Sequence, residues 1–145
     1  MADQLGEGMP PFAMLTLDAP GAPLLAALRV GAISIEDAGV FLVLAQSLNW
    51  RSARYWGGPD QLAVAAGCSV EVIEQGLSRL ERAGLVVHGR CTRLPSRRYW
   101  APLPSIVCTG GPVKRRHQWI SFFREANNPD AVAEHWEAAA AAAGR

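Results

Sequence analysis

The sequence predicts a mainly α fold with one small β-hairpin, an α+β unit with extra segments at both ends. Two capped apolar segments with helical spacing flank a short glycine turn near residue 67, and a third such segment precedes them. A β-branched run and an aromatic run then flank a turn containing Pro95. With 145 residues, half of them apolar, the chain can fill one modest core and is too apolar for general disorder.

Residues 1–11, with Gly6, Gly8 and Pro10-Pro11, lack a periodic apolar pattern and read as a lead-in. Residues 12–17 read as a short strand, 18–23 as turn and 24–30 as one short helix. Ser34 has the features of an N-cap with Asp37 as its capping-box partner, which predicts a helix over 35–48. Its Val40, Phe41, Val43, Leu44 and Leu48 cover much of the circumference, as in a helix packed centrally. Residues 49–58, which hold Arg51, Arg54, Tyr55 and Trp56, suit a loop with a short extended piece. Pro59 at N1 and Asp60 open a helix of about two turns that buries Leu62, Ala63, Val64 and Ala66 and stops at Gly67. Ser69 caps the next helix, in which Val72, Ile73, Leu77 and Leu80 form one buried stripe until Ala83-Gly84 ends it.

Residues 85–88 and 98–100 then form the hairpin around the turn at 91–96. Beyond it, Lys114-Arg115-Arg116-His117 leads into Trp119, Ile120, Phe122 and Phe123; these aromatics close the core over the first helix or offer an apolar surface to a partner subunit. Asn128-Pro129-Asp130 opens a last helix through the alanines to Ala143, with Val132 and Trp136 as its large apolar residues.

The net charge of +1 conceals a strong asymmetry. Residues 1–50 carry one Arg against five acids, 51–116 carry eleven bases against four acids, and 117–145 carry two bases against four acids. Between Arg82 and Arg124 there is no Asp or Glu, and such a segment attracts polyanions. Cys68, Cys91 and Cys108 are odd in number and irregularly spaced, which predicts unpaired thiols in a reducing cytoplasm. No apolar run is long enough for a membrane span, and the N-terminus lacks the basic start of a secretory signal. His88 and Cys91 with Cys68, Cys108 or His117 lack the paired short spacing of a zinc site, and no glycine-rich phosphate loop or nucleophile elbow occurs. The expectation is a protein without enzymatic activity, metal or cofactor.

The run Leu62-Ala63, Gly67-Cys68-Ser69, Ile73, Leu77, Leu80-Glu81 and Ala83-Gly84-Leu85-Val86 resembles the helix-turn-helix of bacterial winged-helix proteins. With the helix at 35–48 and Asn49 upstream, it is most similar to the winged helices of phage and plasmid replication proteins and small bacterial regulators. The resemblance covers about residues 33–102, leaving 1–32 as an N-terminal lead-in and 103–145 as a C-terminal extension. It implies a DNA-binding protein, a transcription regulator or replication accessory. Duplex DNA would be held by a basic wing with Arg90, Arg93, Arg97 and Arg98, by Lys114, Arg115 and Arg116, and by a recognition helix presenting Ser69, Val70, Glu71, Gln75, Ser78, Arg79 and Arg82.

Glu71 and Glu74 depart from that pattern, since carboxylates near phosphates are repelled unless one accepts from a cytosine amino group. Either they read cytosine while Gln75 reads adenine, or they form an ordinary solvated face. A protein-interaction module of phage or plasmid type, using that acidic face, is therefore the rival expectation, and RNA stays open as a target of the arginine-rich region. Winged-helix regulators often dimerise through added helices, so the last helix leaves a homodimer open.

Overall fold

The computed structural model describes residues 14–15, 19, 21–49, 51–108 and 112–143. Residues 1–11 of the expected lead-in and the outer residues of the strand expected at 12–17 lie outside the described residues. In chain order the elements are β1 (Met14–Leu15), α1 (Pro23–Arg29), α2 (Ile35–Gln46), α3 (Pro59–Ala66), α4 (Val70–Arg82), β2 (Val86–Arg90), β3 (Arg98–Pro102), β4 (Val107–Cys108), α5 (Pro112–Glu125) and α6 (Pro129–Ala143). The fold is mainly helical with small antiparallel sheets.

Local signals place most of these ends. Ser34 Oγ accepts from the Asp37 amide at 3.1 Å while Asp37 Oδ2 accepts from the Ser34 amide at 2.9 Å, the reciprocal cap that starts α2. Asp37 is 1 % exposed, and its other oxygen accepts from Arg79 Nη1 of α4 at 3.1 Å. One carboxylate thus caps α2 and pins it to α4. Arg79→Ala leaves that buried carboxylate without its cation and should cost about 2 kcal/mol, below the range for a fully buried pair because Arg79 is itself partly exposed. Urea denaturation measures it; an unchanged midpoint would show that the pair contributes nothing.

The helix expected to reach Leu48 ends at Gln46, where Ser47 Oγ bonds back to the Val43 carbonyl at 2.8 Å. α3 buries Leu62 and Ala63, but the expected burial of Val64 and Ala66 is wrong: both are exposed, Val64 by 84 %. Val64 lies two residues, about 200°, round the helix from Leu62, and Ala66 is in the final turn. Gly67 closes α3 at φ 69°, and Ser69 Oγ accepts from the Val72 amide at 3.3 Å to start α4. Of the expected stripe on α4, Ile73, Leu77 and Leu80 are buried and Val72 half-buried, while Gly76 lets the backbone approach α2. A Cβ at Gly76 would stand 2.7 Å from Val40 Cγ2.

Val86 to Arg90 pair with Pro102 to Arg98 in register, placing Arg90 opposite Arg98. Tyr55 adds a third edge through reciprocal backbone bonds with Trp100 of 2.8 and 3.0 Å. Residues on alternate sides of the hairpin meet different helices. Val87, Tyr99 and Ala101 face α5 across a shared cleft. Val86, His88 and Trp100 lie on the opposite face, toward α2 and α4, with His88 stacked on Trp100 at 4.2 Å. The core runs from Phe41 and Leu44 through Leu77 and Leu80 to Leu85 and Leu103, and Trp119, Phe122 and Val132 extend it into the C-terminal helices.

α6 docks against the end of α4. Asn128 Nδ2 donates to the Arg82 carbonyl at 2.7 Å, and His135 Nε2 donates to the Ala83 carbonyl at 3.1 Å, so two carbonyls left unpaired at the helix end are capped from more than forty residues away. β1 pairs with β4, Met14 opposite Cys108, and ties the segment before α1 to the stretch between the hairpin and α5. Among the described residues no helix is long and apolar enough to cross a membrane.

Candidate nucleic-acid interface

Glu71, Glu74, Gln75, Ser78 and Arg82 are exposed along one stripe of α4, as expected, and Val70 is half-buried. Ser69 is exposed but its hydroxyl is engaged as the N-cap. Arg79, expected among the contacts, is committed to Asp37 and retains 42 % of its side-chain exposure.

The hairpin gathers the remaining cations. Arg90, Arg93, Arg97 and Arg98 are all exposed. Arg90 and Arg98 are cross-strand partners on the His88 and Trp100 face, the side of the sheet turned toward α4. Like charges held directly opposite destabilise an antiparallel pair, so this arrangement favours an external anion. Arg97 is tethered: its guanidinium lies 4.6 Å from the Trp56 ring centre, and Trp56 packs at 5.1 Å on Tyr99, which fills the space over Gly89. Arg54 stacks on the Tyr99 ring at 4.1 Å and donates to Ser121 Oγ at 2.9 Å. Arg54 and Trp56 fall in the segment expected as a loop, with no role assigned to them; their signal is the interleaving of basic and aromatic residues from Arg51 to Trp56.

Lys114, Arg115 and Arg116 lie in the first turns of α5, a helix that the sequence does not announce. Lys114 is half-buried beside the Pro102 end of β3, whereas Arg97 and Arg98 sit at its other end, about 13 Å of strand away. The basic cluster and the hairpin tip are therefore separate patches. Arg115 and Arg116 are exposed. Of the large apolar residues that follow, Trp119 and Phe122 are buried, while Ile120 and Phe123 are exposed. Trp119 and Phe123 meet Trp136 of α6 edge-on, at 5.2 and 6.2 Å.

Burial pushes the His88 imidazole below its ordinary value, and the Arg98 and Arg90 cations push it the same way. Its folded value thus lies below its unfolded value, so the stability contributed by the neutral ring is complete above about pH 6.5 and is lost as pH falls through the folded value. Arg98→Gln removes one of the two cations and should raise the His88 midpoint in an NMR titration; a midpoint that stays put would detach the ring from these arginines. Backbone amides of Leu94 and Arg93, then the Arg97 and Arg54 cations, hold the Cys91 thiol below its usual value against desolvation. Cys68 and Cys91 are free, as expected.

Compared with known proteins, the chain matches no family model, no curated sequence and no solved structure. The geometry of its own residues carries the functional reading.

Proposed function

We propose that this chain is a non-enzymatic winged helix-turn-helix protein that binds duplex DNA, in the manner of a small regulator or replication accessory. The observation that carries this reading is the opposed pair Arg90 and Arg98 on the α4 side of the hairpin, flanked by Arg93 and Arg97. The order of α2, the Tyr55 edge, α3, α4 and the hairpin supports the fold assignment. In this reading the hairpin is the wing and lies along the phosphate backbone, where the arginine fork holds two oxygens at once. α4 faces the groove through Gln75, Ser78 and Arg82, and its glutamates limit which bases are accepted. Arg115 and Arg116 extend the positive surface as an outlying patch.

Fluorescence anisotropy with a labelled random-sequence duplex over a salt series tests this. With five cations in play, Arg82 and the four of the wing, log affinity should fall against log salt with a slope of about −4.5. Absence of binding at about 50 mM salt, where phosphate attraction is strong, would sink the DNA reading. It would favour the second one, a protein partner for the exposed Glu71 and Glu74 face.

A further inference from the structure

A cleft of about 260 Å³ opens between the loop before α3, the outer face of the hairpin and α5. Its floor is apolar, made by Val87, Ala101, Pro102 and Phe122, and its rim carries Arg51, Arg54, Lys114 and His117. None of the described lining residues is acidic. The positive groups come from two segments far apart in sequence, and on α5 the positions 114, 117, 118 and 121 share one helical face.

We propose that this cleft binds a small organic anion, a phosphate or carboxylate carried on a compact apolar body such as one ring. Apolar walls that converge with a few placed polar groups are the usual make-up of a small-molecule site. The volume is small for such a site and suits a body of one ring rather than a larger ligand. Arg54 is prearranged for an anion: its guanidinium lies over Tyr99 at 4.1 Å and is anchored on Ser121 Oγ at 2.9 Å, so little freedom remains for it to lose on binding.

A second observation points the same way. Lys114 and Arg115 occupy the first turn of α5, which has no acid there, although the positive end of a helix repels cations. Lys114 lines the rim, so an anion there meets the positive end of α5 together with Lys114, Arg51 and Arg54. The apolar body then lies over Ala101 and Phe122. The site is independent of the DNA reading, because it lies on the face of the hairpin turned away from α4.

Phenyl phosphate, benzoate and inorganic phosphate, each titrated into the full chain without DNA and followed in ¹H–¹⁵N spectra, test the proposal. Phenyl phosphate or benzoate should give saturable shifts centred on Ser52, Ala53, Ala101, Gln118 and Ser121, and the tighter of the two identifies the head group. Inorganic phosphate should bind there at least about ten-fold more weakly, since it leaves the apolar floor uncovered. The double variant Lys114→Gln with His117→Gln, the first half-buried and the second exposed on α5, should weaken the ring-bearing anion at least about ten-fold and leave the signals of residues away from α5 unchanged. The proposal is overturned if neither ring-bearing anion saturates, if inorganic phosphate binds equally well, if the shifts spread over all the basic surface, or if the double variant binds as the wild type does.

Discussion

Neutralising the wing, with Arg90, Arg93, Arg97 and Arg98 all changed to alanine, should lower affinity for a random duplex about a hundred-fold or more at 0.15 M salt. The slope of log affinity against log salt should shrink by about three to four units, because every phosphate no longer neutralised takes away about 0.9 of a unit. All four side chains are exposed, and among the described residues none of them forms an ion pair with a carboxylate, so the weaker binding reflects the interface rather than unfolding. Arg97 is the exception in part: it also covers Trp56, and its removal should cost about 0.5–1 kcal/mol of stability. The pair Arg90→Ala with Arg98→Ala isolates the electrostatic effect and should take about two units from the slope. Because those two residues face each other, their removal should leave the hairpin slightly more stable while it binds less well. Reduced affinity with an unchanged slope would mean that the arginines do not meet phosphates.

Gly84→Ala is expected to be the most damaging single substitution for folding, at about 3–4 kcal/mol, or roughly 10 °C in Tm. Two effects add. The residue has φ 73°, a left-handed conformation that costs an L side chain about 1–2 kcal/mol. A Cβ there would also stand 2.9 Å from Ala131 Cβ and 3.1 Å from the Val132 amide nitrogen, so the start of α6 must move, at an overpacking cost of about 1–3 kcal/mol. Gly67→Ala separates them: Gly67 has nearly the same φ, 69°, but nothing within 4 Å of an added Cβ, and should show the conformational cost alone. Equal effects at the two glycines, measured by thermal or urea unfolding, would show that the approach of α6 is unimportant.

Where a rule acts over a few residues, the sequence is legible. Ser34 with Asp37, Ser69, Gly67 and Gly84 are caps and turns set by groups three or four positions away, and all lie where expected. The hairpin arginines are legible too, because charge and position in a turn do not depend on packing. What escapes depends on partners distant in the chain. Arg79 reads as an exposed cation because Asp37, its partner, is 42 positions earlier. The close crossing at Gly76 depends on Val40, and the two-residue pairing of β1 with β4 has no local pattern to show it. α5 is hidden because Lys114 and Arg115 occupy a first turn where acids are the usual sign of a helix. The cleft follows from the same gap: once α5 is placed over the hairpin, Lys114 and His117 come to face Arg51 and Arg54.

The seating of α6 on the last carbonyls of α4 also sets an order of events during synthesis. Asn128, Ala131 and His135 are made roughly fifty residues after Arg82, which at about 5–20 residues per second is about 2–10 s later. Throughout that interval the nascent α4 lacks its C-terminal caps and the partner of Gly84. A ribosome paused between residues 84 and 128 would therefore hold a version of α4 with a frayed end, and the surface proposed to meet DNA becomes fully shaped only once residues 128–135 have emerged.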